Sequence, residues 1–416
     1  MKKPNQRVVI TGMGVLSPNG NSLDAFWQNT LDCVSGIGAI TRFDTSDFPV
    51  KIAGEIKDFD LERYVPSSYQ FKKNRIALNV QYGIAASQMA IRHSGLTLEM
   101  LKKHEPVPLF IGVTSSALDM IETGKDALTK KGPKRVSPFL ALGCHPHAVA
   151  SEISRLLNVN SLRTTFASEC PCGLEAIGCA MRHIHSGKGE LVICGGVDAP
   201  ITPLTMSSFH LTGMIVSDSP DPKTSGRPFD MNRIGGVVSE GASIITVESL
   251  HAALNRNATP LAEIIGFGIS SDDVGAPSAS GLYHSMKNAL DDAGLLPADI
   301  DYINAHGPGH PVIDVSETNS IKKLFGKRAY QIPVSSIKGI TGNPFAAAGG
   351  MQTIICVMAM LHGLIPPTAN FETPDPECDL NYVPRTPLNF APEICMINLH
   401  GMSGGNISLI LKRLVP

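Results

Sequence analysis

Charge is scarce in this 416-residue chain. Asp, Glu, Lys and Arg make up 17% of it, against about a quarter in ordinary globular proteins. The shortage implies that much of the surface is covered, by the chain itself or by a partner. The formal net charge is −2, which excludes the electrostatic footprint of a nucleic-acid binder. The nearest thing to a basic patch, Lys130, Lys131, Lys134 and Arg135, reads as a solvated face. No run of about 18 apolar residues is present, so no membrane span is expected. The start, Met1 to Arg7 and then Val8-Val9-Ile10, is too short in apolar residues for a signal peptide. The nine cysteines are odd in number and scattered, several in apolar runs. They make no visible disulfide framework, which points to a reducing, cytoplasmic compartment.

What is present is apolar material, 43% of the residues, in a length that suits two or three domains. Short apolar runs followed by Gly, Ser or Asn read as buried strands at Arg7–Thr11, Pro108–Val113, Glu190–Cys194, Ile244–Val247, Ile300–Asn304, Ile394–Asn398 and Ile407–Leu411. Helical patterns lie between them at Leu23–Leu31, Ala77–His93, Pro146–Leu156, Gly173–His185, Gly281–Ala293 and Gly350–His362. Alternating strands and helices predict an α/β fold, and the continuous apolar strands predict sheets covered on both faces. The helices at 173–185 and 350–361 are apolar nearly all round, as interior helices are. Two such helices between two sheets give five layers. Ser217–Pro228 reads as a surface loop between halves, and Ala276–Gly281 as a further turn. No literal repeat is visible, but a Gly-led helix occurs once in each half.

Four clusters carry chemistry. The first is Thr164-Thr165-Phe166-Ala167-Ser168-Glu169-Cys170-Pro171-Cys172-Gly173. A cysteine at a helix N-terminus is favoured as thiolate by the dipole and free N–H groups, and thiolate is what nucleophilic acyl transfer needs. A buried inert thiol is the competing reading. A metal site of Cys170 and Cys172 with His145, His147, His183 or His185 fits poorly, since zinc sites favour two-residue spacers between cysteines. The second cluster is Asn304-Ala305-His306-Gly307-Pro308-Gly309-His310, a histidine in a Gly-rich turn after a strand. The third is Ser335-Ser336-Ile337-Lys338-Gly339-Ile340-Thr341-Gly342-Asn343, where a lysine among apolar and small residues is expected to enter a polar network. The fourth is His400-Gly401-Met402-Ser403-Gly404-Gly405-Asn406, a turn between strands whose N–H groups suit an oxyanion hole.

In this order the clusters resemble the elongating β-ketoacyl-acyl-carrier-protein synthases, along essentially the whole chain. The likeness runs through Val8 to Val15, Ile40 to Ser46, Gly132 to Phe139, Gly195-Gly196-Val197-Asp198 and Pro374 to Leu380. It is specific jointly and not singly. The resemblance implies the thiolase fold, a five-layered αβαβα arrangement of two pseudo-duplicated halves, 1–250 carrying the cysteine and 251–416 carrying His, Lys, Asn and the Gly-rich loop. It implies a homodimer, or a heterodimer with a related subunit. It implies phosphopantetheine thioester substrates on an acyl carrier protein or coenzyme A, and no separate cofactor or metal.

Carried over residue by residue, the resemblance makes Cys170 the acyl acceptor and His306 and Lys338 the His and Lys of the family. Asp314 and Glu317 become supporting carboxylates, with Glu317 orienting Lys338. The backbone N–H groups of Cys170 and His400 form the oxyanion hole, and Phe209, Pro308, His310 and Met402 bind substrate. Four departures stand out. Asn343 replaces the second catalytic histidine. Pro308 and His310 replace two threonines that contact phosphopantetheine. His400 replaces a gatekeeping phenylalanine, with Met402 where a second is usual. Arg233-Ile234-Gly235-Gly236 replaces Arg-Asp-Gly-Phe. The expected reaction is decarboxylative Claisen condensation in a specialised fatty-acid or polyketide pathway. Acyl transfer without carbon–carbon bond formation and a non-catalytic chain-length-factor-like subunit are the alternatives.

Overall fold

The structure is a computed structural model and describes residues 6–67, 69, 75–273 and 278–414. Apart from two small two-stranded sheets, its strands form one main sheet and fall into two sets of five. The first set is β1 (Val8–Leu16), β2 (Val107–Gly112), β3 (Ser161–Phe166), β4 (Leu191–Asp198) and β5 (Gly241–Ser249). The second is β6 (Ala262–Ser271), β7 (Tyr302–Asn304), β8 (Val334–Ser335), β9 (Ile394–His400) and β10 (Gly405–Arg413). In space the order is β3-β2-β4-β5-β1 in the first half and β8-β7-β9-β10-β6 in the second. Position by position this is one topology used twice. In each half the first, fourth and fifth strands pair antiparallel, and the second, third and fourth pair in parallel. The duplication is plain in strand order although no sequence repeat shows it. The two sheets join edge to edge where Val8–Ile10 pairs with Ala262–Ile264, making a continuous ten-stranded sheet.

Six helices matter for the layering: α1 (Leu78–Ser94), α2 (Ala148–Leu157), α3 (Cys172–His185), α4 (Leu282–Ala293), α5 (Pro311–Phe325) and α6 (Ala347–His362). Helices α1 and α2 cover the outer face of the first sheet, and α4 and α5 that of the second. Helices α3 and α6 lie between the sheets, in a core that takes residues from both: Ile10, Val192 and Val247 from one, Ile397, Leu399 and Leu409 from the other. This is the expected five-layered order. Every residue of α6 from Ala347 to Met360 is buried. Each such Ile, Leu or Met contributes about 1.5–3 kcal/mol relative to exposure, so position inside the molecule outweighs the modest helix propensity of its β-branched residues. Helix α3 is only partly apolar all round. Glu175, Cys179, Arg182 and His185 lie at its margin, and the Arg182 guanidinium stacks 4.8 Å above the Phe267 ring.

Differences from the expected elements have local causes. Strand β6 was not expected, because Gly266, Gly268 and Glu263 interrupt its apolar run. Those glycines instead let α4 come close. Helix α5 hides because polar Asp314, Glu317 and Thr318 are buried in it. The Ser217–Pro228 segment lies inside the first half, before β5, rather than between halves. Its end is buried against the second half, with Gly226 beside Gly339. Residues 276–277 of the expected second turn lie outside the described residues. Among the described residues no helix is long and apolar enough to cross a membrane.

The two inner helices approach most closely at their starts. A Cβ placed on Gly173 would come 2.0 Å from the Ala346 carbonyl oxygen, and one on Gly196 would do the same. Neither helix start can retreat without moving a sheet. Gly173→Ala is therefore expected to destabilise at the upper end of the ~1–3 kcal/mol cost of overpacking, read as a fall in the urea midpoint at unchanged slope. A wild-type midpoint would show that the contact is slack.

Candidate active site

The carboxyl ends of the parallel strands of both halves point to one place. After β3 the chain turns through Glu169, which holds a left-handed φ of +60°, and delivers Cys170 just ahead of α3. The turn is fixed by the Glu169 carbonyl, which accepts from Thr114 Oγ1 (2.9 Å) and the Cys172 N–H (3.1 Å). The Glu169 carboxylate accepts the N–H of Ser403 at 2.7 Å, tying the turn to the Gly-rich loop after β9. At the equivalent place in the second half, after β8, stands Asn343. Its Nδ2 lies 3.9 Å from Cys170 Sγ. His306 follows β7, and His400 ends β9.

Cys170, His306, Asn343 and His400 line a single cavity of about 50 Å³. Phe209, Pro308, His310 and Met402 line it too, so the sequence-derived substrate positions meet the reactive ones. The remaining wall is apolar, with Ile215, Val238 and Phe345, and Phe345 stacks on Phe209 at 5.1 Å. Cys172 faces away, its Sγ 3.5 Å from Thr114 Oγ1. His145 and His147 stack on each other at 5.5 Å outside this cavity. Among the described residues no group of His, Cys, Asp and Glu is arranged to hold a metal.

Burial, modified by the polar surroundings, sets the ionisation. Burial is the largest influence on Cys170 and pushes its thiol up to about 12, with the Asp198 carboxylate adding to the rise. Lys338 and the Asn343 hydrogen bond pull the other way and lose. This balance favours a resting thiol over the expected dipole-stabilised thiolate. Asp198 is fully buried at the end of β4 and accepts from the N–H of Thr114 (3.1 Å), Ser115 (2.7 Å) and Ala346 (2.9 Å). It therefore clamps the start of α6 to the first half.

Lys338 is buried, and burial lowers it to about 8 despite Glu317. Its Nζ donates to the His306 carbonyl and to Gln352 Oε1 (3.4 Å), and lies 3.5 Å from His306 Nδ1. Burial first, then Lys338, holds His306 well below its ordinary value, so the ring is neutral. An ammonium facing Nδ1 leaves that nitrogen as acceptor, and the hydrogen sits on Nε2.

Glu317 makes no direct bond to Lys338. Its two oxygens accept the backbone N–H groups of His306 (2.9 Å) and Gly307 (2.8 Å). It shapes the histidine turn and reaches Lys338 only through charge, which revises its expected part. Asp314 similarly accepts from the N–H of Phe229 (2.8 Å), Gly309 (3.2 Å) and His310 (3.1 Å). Arg233 is buried and bonded to Asp375 and the Asp230 and Pro311 carbonyls, so the departure from Arg-Asp-Gly-Phe keeps the arginine in a structural knot.

Gln352 was missed by sequence reading. It sits on the apolar α6, and its Nε2 gathers Asn304 Oδ1 (2.7 Å) and the Ala305 carbonyl (3.0 Å). Its one signal was a lone amide in an otherwise apolar interior helix, where a polar group must find partners. Asp198 had a signal in Gly195-Gly196-Val197-Asp198, but nothing local showed what it would clamp.

Comparison with known proteins agrees with this arrangement. Residues 5–253 match the family model described as beta-ketoacyl synthase, N-terminal domain, and residues 261–372 match beta-ketoacyl synthase, C-terminal domain. The 3-oxoacyl-[acyl-carrier-protein] synthase 2 of Coxiella burnetii is 38% identical, over 98% of this chain and 99% of its own. Its counterpart from Synechocystis sp. is 36% identical, with 98% of each chain covered. Among solved structures, the ishigamide ketosynthase/chain length factor superposes with a TM-score of 0.91 at 32% identity, covering 99% of this chain and 100% of that one. A beta-ketoacyl synthase from Burkholderia phymatum gives 0.91 at 28% identity, with 99% and 100% covered. With duplicated halves, a cysteine ahead of an interior helix and full-length relatives of this kind, the chain belongs to the β-ketoacyl synthase family.

Proposed function

We propose that the protein is a condensing acyltransferase in which Cys170 carries the acyl chain and His306 and Asn343 hold the enolate. The observation that carries this reading is Asn343 Nδ2 at 3.9 Å from Cys170 Sγ, with the neutral His306 ring lining the same cavity. In the first half-reaction the Cys170 sulfur attacks a thioester carbonyl, the C–S bond of the donor breaks, and the thiol proton leaves with the donor's sulfur. In the second, a malonyl thioester loses CO2. The electron pair of the broken C–C bond becomes an enolate, whose oxygen accepts from His306 Nε2–H and the Asn343 amide. The carbanion attacks the acyl carbonyl, and the oxyanion is received by the N–H groups of Cys170 and His400. The C–S bond to Cys170 then breaks, giving a β-ketoacyl thioester and a Cys170 thiolate, which takes a proton from solvent to restore the resting thiol.

The donor is an acyl carrier protein thioester, in keeping with relatives named for that carrier. A solved type II PKS ketosynthase in complex with its acyl-carrier protein and bound to a hexaketide has 25% identity and a TM-score of 0.89, covering 99% of this chain and 100% of that one. Coenzyme A is the simpler substitute carrier. The nucleophile comes from residues 1–250 and the enolate-holding groups from 251–416. The chain pairs with a second copy, or with a related subunit, through β3, an edge strand with Leu162 48% exposed. Such an edge is a template for continued pairing. Nine free thiols fit a cytoplasmic setting.

Three outcomes follow. Cys170→Ala is expected to show no acyl adduct by intact mass while Cys172 stays unmodified in wild type, and an adduct on the variant would overturn the assignment. Since the resting thiol is protonated, iodoacetamide labelling of Cys170 should rise roughly tenfold per pH unit below its pKa. The rise slackens above about pH 8, where Lys338 loses its proton and its pull on the thiolate, and Lys338→Met abolishes that break. A plateau at neutral pH would show a resting thiolate instead. Asn343→Ala removes one enolate donor, worth on the order of 3 kcal/mol or about a hundredfold in rate. Labelled CO2 release from malonyl thioester should fall by that factor while Cys170 acylation persists. Wild-type enzyme that acylates but releases no CO2 would refute condensation.

A further inference from the structure

The end of β9 presents a histidine to the cavity, and its surroundings fix which nitrogen does what. His400 is 2% exposed, and its Nδ1 lies 3.0 Å from Asn406 Oδ1. The Asn406 amide nitrogen is fully used. It donates to Asp272 Oδ1 at 2.7 Å and to the Gly404 carbonyl at 2.9 Å. Asp272 in turn is held by the N–H groups of Ser278, Ala279 and Gly281. Asn406 therefore offers His400 an oxygen, and His400 Nδ1 must carry the hydrogen. The other nitrogen, Nε2, is left with a lone pair.

That nitrogen is buried and has no hydrogen-bond partner among the described residues. The same holds for Asn343 Oδ1, on the wall of the same cavity. Burial keeps the His400 ring neutral, so its lone pair is available. Two acceptors thus lack hydrogen-bond partners in a space whose wall also holds Cys170, His306 and His310 beside the apolar Phe209, Ile215, Val238 and Phe345. A plain hydrocarbon chain or thioester has no hydrogen to give them. Buried polar groups that stay unpaired penalise any ligand that fails to pair them.

We propose that His400 is a specificity-determining residue whose Nε2 accepts a hydrogen bond from a hydroxyl or amine borne by the acyl chain close to its thioester. Asn343 Oδ1 is the second acceptor for the same group. The site thereby favours chains that arrive still carrying a donor, before dehydration or full reduction has removed it. This inference rests on the acyl-enzyme reading above and deepens it.

The test compares octanoyl, β-hydroxyoctanoyl and β-aminooctanoyl pantetheine thioesters, following Cys170 acylation by intact mass over time. Wild type is expected to acylate with one donor-bearing chain roughly tenfold faster than with octanoyl, and which of the two is faster identifies the group. His400→Phe should abolish that preference or reverse it. His400→Gln, which keeps a carbonyl acceptor, should retain part of it and serves where the phenylalanine variant does not fold. Equal rates for all three chains in wild type, as an ordered water on Nε2 would give, overturn the proposal. So does a preference that survives in His400→Phe. Absence of any adduct with all three thioesters defeats the acyl-enzyme reading itself, and this one with it.

Discussion

The close contact between the starts of the two interior helices is the constraint on which the rest depends. Gly173 at the head of α3 and Gly196 on β4 both press on the Ala346 carbonyl at the head of α6. Asp198 ties the Ala346 N–H to the first half as well. Each half, alone, would place its strand ends over an open sheet edge, in keeping with the general rule that parallel sheets bind ligands beyond their carboxyl ends. Locking the helix heads together superimposes those two edges. The third strand of one half then delivers Cys170 and that of the other delivers Asn343. The second strands deliver Thr114 and His306, and the fourth strands Asp198 and His400. Cys170 and Asn343, the proposed nucleophile and one proposed enolate holder, thus occupy pseudo-symmetric places, and His306 occupies that of Thr114.

Within that frame the electrostatics follow from burial more than from the helix. A helix terminus is worth about 0.3–1 kcal/mol to a negative charge, about 2 in favourable geometry. Raising Cys170 from an ordinary thiol to about 12 corresponds to about 4 kcal/mol at 1.36 per pKa unit. Helix α3 also begins at Cys172, beyond the nucleophile, so the dipole acts from a distance. The Asp198 carboxylate opposes the thiolate, and Lys338 only partly offsets it. This balance keeps the sulfur protonated at rest, and a thiol is less readily oxidised than a thiolate.

Much of this was legible in the sequence, and the reason is geometric. Strands covered on both faces are apolar throughout, so β1, β2, β4, β5, β7, β9 and β10 stood out. The reactive residues sit where such strands end in Gly-rich turns, so all four clusters fell on the one cavity. Where a strand needed glycine for a close helix, as in β6, the apolar signal failed. Where a helix buried carboxylates to hold loops, as α5 does with Asp314 and Glu317, periodicity was hidden. Hydrogen-bond partnership was the least legible level. Glu317 grips the His306 backbone rather than the lysine, and Gln352 binds four strand-end groups from inside an apolar helix. Partners separated by dozens of residues leave no local mark.

The replacement of a second histidine by Asn343 is consistent with the chemistry once proton flow is counted. Loss of CO2 from a malonyl thioester breaks a carbon–carbon bond and moves an electron pair onto an enolate oxygen. No proton need change hands at that step. What the oxygen needs is donors already in place, in a dry cavity where they are worth most. In the proposed reaction His306 supplies one because Lys338 at Nδ1 keeps the hydrogen on Nε2, and its depressed basicity makes it a poor acceptor of protons and so a dependable donor. In the same proposal Asn343 supplies the other without being able to titrate at all. An amide there loses the option of general-base chemistry and keeps the hydrogen bond that decarboxylation uses. The basic lone pair that remains in the cavity, on His400 Nε2, lies across the ring contact from His306 at 5.8 Å. It shares one cavity with His306 and Asn343, the proposed enolate donors.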